Sequence, residues 1–313
     1  MIVHEALRRA SRTLAPLADE EAALEAELLL CHALGPSTGS LAGQAGQALD
    51  RSHLYQRLRD EFDPEHERAF QRLLERRLAH EPTAYILGRR EFYGLEFEVT
   101  PAAIIPRPET EVLVEAVLAF VRALDTARET WVADVGTGCG AIAVALAANL
   151  PPGVRLIALD SSGEALALAR RNAERHGVAE RMHFLRGDLL SPLQGSAHPE
   201  PKPGGSRDSS RRVDVIAANL PYVPTTVWQA LPPEIRDHEP RLGLDGGPDG
   251  LRLIERLLRR APRYLPPRGA LFAEIGDEQG GAAAALAREA FPAARIEVKP
   301  DLGGLDRVLV VET

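Results

Sequence analysis

The sequence predicts an α/β protein: a mostly parallel sheet with helices on both faces, preceded by a small helical region. Three observations carry this. From Trp131 onward, short apolar runs of strand type alternate with helical stretches, the pattern of repeated β-α units. The run Asp134-Val-Gly-Thr-Gly-Cys-Gly140 falls between an expected strand and an expected helix. The segment before residue 80 has helical periodicity and no such alternation.

The bulk properties bound the function. At 313 residues and 45% hydrophobic the chain can bury a sizeable core. The net charge of −8 argues against non-specific nucleic-acid binding, which needs a dense basic face. Arg207, Arg211 and Arg212 cluster locally and read as a solvated loop. The two cysteines, Cys31 and Cys139, lack metal-ligand spacing, so a reducing cytoplasm is expected rather than a disulfide framework. The N-terminus shows no basic stretch leading into an apolar run, so no signal peptide is expected. No apolar run approaches a membrane span.

The elements follow in chain order. Asp19 is expected to cap a helix carrying Leu24, Leu28 and Cys31 on one face. Gly35 to Gln47 reads as a loop. Asp63-Pro64 is a helix start, with proline at the first helical position, and Phe70, Leu74 and Leu78 follow on one face. Arg76, Arg77 and His80 suit the negative end of that helix. Arg90 to Thr100 alternates around Gly94 and reads as a hairpin. Strands are then expected at 131–135, 155–159, 182–185, 213–217 and 270–275, with a last pair at 295–298 and 308–311. Helices are expected at 141–149, 164–176, 251–264 and 282–290. The polar, Pro/Gly-rich stretch 195–212 reads as a surface insertion.

The glycine loop carries the first chemistry. Gly136, Gly138 and Gly140 permit a sharp turn and close approach of a ligand to the backbone, and Thr137 and Cys139 complete the loop. Ala141 also completes a G-x-G-x-x-A pattern, so the loop alone leaves a dinucleotide open. Asp160, ending the next strand, suits ribose hydroxyls in either case. Asp134, two residues before the first glycine, is more typical of methyltransferases. There it would help hold the cationic end of the cofactor. Asp188 and Leu189 follow the third strand, where adenine is expected.

The second motif is Asn219-Leu220-Pro221-Tyr222, after the fourth strand of the alternating region. An amide nitrogen is a poor nucleophile because its lone pair is delocalised. A site that accepts both of its N–H bonds fixes its orientation. The Asn219 side-chain oxygen and the Leu220 carbonyl are candidate acceptors, and Tyr222 is placed to pack on the planar group. Positioning supplies much of the rate in such a reaction. The two motifs together indicate an S-adenosylmethionine-dependent methyltransferase acting on an amide or amino nitrogen.

Further residues resemble one family, the HemK/PrmC-type release factor glutamine methyltransferases. They are Glu81-Pro-Thr-Ala-Tyr-Ile-Leu-Gly88, Arg90-Glu-Phe-Tyr-Gly94, Ile105-Pro-Arg-Pro-Glu-Thr-Glu111, Glu239-Pro240, Gly246-Gly-Pro-Asp-Gly-Leu251, Glu274-Ile-Gly276 with Gln279, and Asp301-Leu-Gly-Gly-Leu-Asp-Arg307. The resemblance implies a seven-stranded, doubly wound, Rossmann-like methyltransferase domain at 111–313. It implies a helical docking domain at 1–82 and a β-hairpin linker at 83–110. The implied reaction methylates the side-chain amide of the glutamine in the Gly-Gly-Gln motif of class 1 peptide chain release factors, which makes those factors the partner. The expected cofactor residues are Asp134, Gly136 to Gly140, Asp160, Asp188, Leu189 and Asn219. Asn219 to Tyr222 would hold the glutamine, and Arg107, Pro108 and Glu109 would wall the site.

One position departs from the family. Leu220 stands where the pattern has a first proline. Its carbonyl remains, and Pro221 biases it toward extended backbone. Asn-Leu-Pro-Tyr is also the form of rRNA adenine dimethyltransferases, so an adenine in RNA or DNA stays as the alternative substrate. Those enzymes lack the Pro-Arg-Pro-Glu-Thr-Glu run.

Overall fold

A computed structural model describes residues 1–35, 51–124, 129–194 and 213–313. Most of the loop expected at 35–47, the insertion at 195–212 and the basic cluster Arg207, Arg211 and Arg212 lie outside the described residues. The chain divides into two units: Met1–Gly88 with Pro233–His238, and Arg89–Pro232 with Glu239–Thr313.

The first unit is helical. α1 spans Val3–Ala18 and buries Val3, Ala6, Ala10 and Leu14, a repeat of three and four that makes one apolar stripe. α2 spans Ala22–Leu34 and buries Ala22, Ala26, Leu29, Leu30, Cys31 and Leu34. The expected face is therefore corrected. Cys31 is buried, but Leu24 is exposed, and Asp19 ends α1 rather than capping α2. The start signal places the helix three residues early, because Asp19–Glu21 forms a separate 3-10 turn.

α3 covers Arg51–Gln56, α4 Pro64–Leu78 and α5 Thr83–Leu87. The α4 start is as expected: the Asp63 carboxylate accepts the Glu65 N–H at 2.7 Å. Phe70 and Leu74 are buried, while Leu78 stays exposed. Arg77 is more than an end charge. It is buried and pairs with Glu25 at 2.9 Å and with Glu234 at 3.1 Å. A buried guanidinium needs such partners, which ties Pro233–His238 to this unit.

The second unit opens with the hairpin, β1 Arg89–Phe92 and β2 Leu95–Glu98. Tyr93 and Gly94 both take positive φ, as a two-residue turn of this twist demands. α6, Glu111–Ala123, follows and has no counterpart among the expected elements. Its buried Leu113, Val114, Val117, Leu118 and Val121 recur at helical spacing, with Glu111, Glu115 and Arg122 on the other side.

The sheet has seven strands: β3 Thr130–Val135, β4 Val154–Asp160, β5 Met182–Arg186, β6 Val215–Ala218, and then, past a short β7–β8 bridge (Val223–Pro224 with Asp245–Gly247), β9 Ala270–Glu274, β10 Arg295–Pro300 and β11 Asp306–Glu312. Their order is β10-β11-β9-β6-β3-β4-β5. All pairings are parallel except those of β11.

The longer helices that follow α6 are α7 (Ala141–Asn149), α8 (Gly163–Arg175), α9 (Arg252–Arg260) and α10 (Gly280–Ala290). They cover both faces of the sheet. Ala133, Val135, Ile157, Leu159, Ile216 and Ala218 share a core with Leu257 of α9 and Ala283 of α10. The alternate strand positions face α6, as the Phe120–Phe272 ring contact marks, and α7 and α8. Strands covered on both faces read as continuous apolar runs, which is why they are visible in the sequence. The order reverses between β3 and β6, and such a switch point opens a crevice at the carboxyl ends of the strands.

Candidate active site

A cleft of about 560 Å³ lies at that switch point, within the size range of small-molecule sites. Gly136 and Gly138 after β3, Asp160 at the end of β4, Asp188 and Leu189 after β5, and Asn219, Leu220 and Pro221 after β6 all line it. The topology thus brings together residues from four strand ends.

The glycine loop is held from below. Gly136 and Thr137 donate their N–H groups to Leu159 O at 2.8 and 2.9 Å. Gly136, Gly138 and Gly140 all have positive φ. A Cβ on Gly136 would lie 3.0 Å from the Leu220 side chain, and one on Gly140 3.0 Å from Ala169. Gly136 therefore keeps the cleft floor clear, while Gly140 lets the helix α8 approach.

Asp134, Thr137 and Cys139 are buried around the loop. Asp134 is fully buried, outside the cleft lining. Its Oδ2 accepts the Thr137 hydroxyl at 2.6 Å and the Ala143 N–H at 3.2 Å. Burial pushes its carboxyl up to about 7, against the pull of those two bonds. Cys139 is buried too, and burial pushes its thiol up to about 12, so it is no nucleophile. Buried Asn172, which the sequence motifs do not single out, joins hairpin and loop. It donates to Cys139 O at 2.8 Å and Glu98 O at 3.0 Å, and accepts from Glu98 N at 2.8 Å.

Asp160 faces the cleft with both oxygens engaged once: Oδ2 accepts Gly138 N–H at 2.9 Å and Oδ1 accepts Ser162 N–H at 2.8 Å. A carboxylate keeps further acceptor capacity beyond two bonds. Asp188 is half-exposed and pairs with Arg256 at 2.7 Å and Arg260 at 3.1 Å. Leu189 is buried at positive φ beside it.

The Asn219 segment is braced on every side. Asn219 Nδ2 donates to Thr110 Oγ1 and to Glu274 Oε2, each at 3.0 Å. Its Oδ1 is left to the cleft. Tyr222 Oη donates to Glu274 Oε1 at 3.0 Å, and burial pushes the phenol up from its ordinary value. Tyr222 is not in the cleft lining, and its phenol braces Glu274. Gln279 Nε2 donates to Tyr222 O at 2.9 Å and Asp249 O at 3.0 Å, while its Oε1 accepts Gly276 N–H. A Cβ on Gly250 would lie 2.0 Å from Tyr222 O, so the Gly246–Gly250 turn packs directly on the motif. Leu220 is buried against Gly136, and its carbonyl receives no hydrogen bond from the described residues.

Arg107, Pro108 and Glu109 sit outside the cleft lining. Arg107 pairs with buried Glu239, which also accepts the Ile105 N–H at 3.1 Å. Pro108 and Glu109 are exposed. Thr110, next in sequence, is the residue of that run that reaches Asn219. Its signal is the run Pro106-Arg-Pro-Glu-Thr-Glu111 itself, from which the sequence reading takes only the three residues before it.

The lining offers a side-chain-free floor at Gly136 and Gly138 and the Asp160 carboxylate as an acceptor at the lip. Among the described residues no helix is long and apolar enough to cross a membrane.

The chain matches the PrmC N-terminal domain over residues 5–88 and the methyltransferase small domain over residues 113–198. It is 41% identical over 307 residues to the release factor glutamine methyltransferase of Moorella thermoacetica, covering 98% of this chain and 97% of that one. It is 42% identical to that of Geobacter sulfurreducens, over 82% of this chain and 78% of the other. With the Bacillus anthracis protein of the same name it shares 33% identity over 100% and 99% of the two chains.

Proposed function

The chain belongs to the release factor glutamine methyltransferase family, and from that premise we propose that it methylates a side-chain amide nitrogen with S-adenosylmethionine as donor. The amide is that of the glutamine in the Gly-Gly-Gln motif of class 1 peptide chain release factors. Bound S-adenosylmethionine supplies a methyl group made electrophilic by a sulfonium.

The chain's own residues do the rest. Gly136 and Gly138 let the cofactor lie against the backbone. Asp160 accepts ribose hydroxyls with its remaining lone pairs, and Asp188 and Leu189 border the adenine. Asn219 Oδ1 and the Leu220 carbonyl accept the two N–H bonds of the glutamine amide and set its plane. With the cofactor bound, the amide nitrogen would take the methyl carbon as its bond to sulfur breaks, the electron pair staying on sulfur as a neutral thioether, and would lose one proton to water. Arg107 holds the Pro-Arg-Pro run through Glu239. The helical unit supplies docking surface for the release factor.

The observation that carries the reading is the fixed orientation of Asn219. Both hydrogens of its amide are taken by Thr110 and Glu274, so its oxygen is the atom offered to the cleft. An acceptor pair there selects a substrate that donates two hydrogens from one nitrogen. The test is transfer of radiolabel from S-adenosylmethionine to a purified class 1 release factor, beside a factor whose Gly-Gly-Gln glutamine is replaced. Label on the unaltered factor only is expected. Label on RNA or DNA and on neither factor would sink the proposal.

A further inference from the structure

Glu274 makes no contact with the substrate amide in the clamp just described, yet it sits at the clamp's base. It ends β9, whose Ala273 pairs with Ala218 of β6, one residue before Asn219. Its side chain is 1% exposed. Oε2 accepts from Asn219 Nδ2 and Oε1 from Tyr222 Oη, both at 3.0 Å. Thr110 accepts from Asn219 and hydrogen-bonds Glu274 in turn. Burial pushes the Glu274 carboxyl up from its ordinary value, against the hydrogen bonds from Thr110 and Tyr222 and the charge of Arg307.

Both Glu274 oxygens act as acceptors here, from Asn219 and Tyr222, whereas an amide can present either its oxygen or its NH2. With Glu274 below it, the Asn219 amide has one satisfactory orientation: NH2 toward Glu274 and Thr110, oxygen toward the cleft. Turned over, two acceptors would meet in a buried place, and a buried unpaired acceptor is costly.

We propose that Glu274 is a positioning residue that fixes which end of the Asn219 side chain faces the substrate, and so makes the site an acceptor of N–H groups. This rests on the amide-clamp reading of Asn219. Glu274 touches no reacting atom. It acts through Asn219, with Thr110 relaying one bond and Tyr222 filling the second oxygen. The chemical consequence is substrate choice: the site takes a group with two hydrogens on one planar nitrogen and rejects a carboxylate in its place.

The experiment uses the full-length enzyme, a purified class 1 release factor and radiolabelled S-adenosylmethionine. Glu274→Gln keeps the volume but lets either end of Asn219 face it. Its kcat should fall by about tenfold or more, the effect of losing one hydrogen bond to a charged group, with KM for the release factor nearly unchanged. Asn219→Asp alone sets two carboxylates together and should be inactive. Adding Glu274→Gln supplies an N–H for the carboxylate oxygen introduced at position 219 and should restore about tenfold over that single variant. A purely structural Glu274 gives no such rescue. Should Glu274→Gln fail to fold, Thr110→Val removes the relay alone and should lower kcat without changing cofactor affinity.

Wild-type kcat in Glu274→Gln would overturn the proposal. So would a folded, cofactor-binding double variant no better than Asn219→Asp, or an unchanged kcat in Thr110→Val. Asn219→Ala separates the two layers: if it retains turnover, the clamp reading itself has failed, whatever Glu274 does.

Discussion

Asp160 Oδ2 accepts the backbone N–H of Gly138 at 2.9 Å, which stitches the end of β4 to the glycine loop after β3. Its other oxygen accepts the Ser162 N–H at 2.8 Å, at the turn into α8. One carboxylate therefore sets the geometry of two loops that border the cleft, and it does so while facing the cleft itself. Loop shape and the cleft lining are coupled through a single side chain.

Asp160→Ala should raise the S-adenosylmethionine dissociation constant by about tenfold or more, from the loss of roughly 1.5–3 kcal/mol in hydrogen bonds to a charged group. Asp160→Asn should fare little better. Either way round, its NH2 faces the N–H of Gly138 or of Ser162, donor against donor. Calorimetric titration checks both variants. Unchanged affinity in a folded Asp160→Ala enzyme would refute the assignment.

Asn219→Ala should reduce turnover by about a hundredfold or more, as expected when a reacting group is no longer held in place. Cofactor affinity should stay within a few-fold of wild type, because Asn219 meets the glycine loop mainly through its backbone: a Cβ on Gly136 would lie 3.4 Å from Asn219 O. Paired measurement of kcat and cofactor binding decides. If binding falls as far as turnover, the side chain belongs to the cofactor site instead.

Much of this architecture is legible in the chain. The doubly covered strands read as apolar runs, and the two motifs fall at strand ends that the topology makes adjacent. The gaps have physical causes. α6 has a helical period, but it follows the Pro-Arg-Pro run with no capping side chain to mark its start. Thr110, Glu274 and Gln279 stand in recognisable runs, but their roles depend on contacts 109, 55 and 57 residues away along the chain. No local pattern encodes such separations. Asp134 is a related case. Its position beside the glycines suggests the ligand, and the fold adds bonds the sequence does not show, from the Thr137 hydroxyl and the Ala143 N–H of α7 to Oδ2. The pairing of Asp188 with Arg256 and Arg260 is hidden likewise, since those arginines come from α9, 68 and 72 residues further on.

Asp134 should make stability pH-dependent. Its carboxyl is raised in the folded protein from 3.8 to about 7, so between those values the native state binds more protons than the unfolded chain. By linkage, that contribution is fully present below pH 4 and is lost as the pH rises through 7. Asp134→Asn keeps an oxygen for Thr137 and Ala143 and cannot ionise. Relative to it, the wild type should lose on the order of a few kcal/mol between about pH 4 and pH 8. Urea unfolding of both proteins without cofactor measures this. Parallel curves across that range would mean that Asp134 ionises normally in the fold.

Gly140 offers a test of how closely the loop and α8 are fitted. Its φ is +87°, and a Cβ there would lie 3.0 Å from Ala169 Cβ and 3.1 Å from Ala169 Cα. Two costs are therefore superimposed in Gly140→Ala: left-handed backbone, worth about 1–2 kcal/mol for a residue with a Cβ, and a clash against the backbone of a packed helix. Gly177 separates them. Its φ is +67°, yet a Cβ there meets nothing within 4 Å, so Gly177→Ala carries the backbone cost alone. Gly140→Ala should exceed Gly177→Ala by about 1–3 kcal/mol in urea unfolding, the usual range for overpacking a core. Adding Ala169→Gly removes the nearer contact but leaves the one to Cα, so it should recover only part of the excess. Equal losses in the two glycine variants would show that α8 shifts freely, and that the loop position does not depend on the helix behind it.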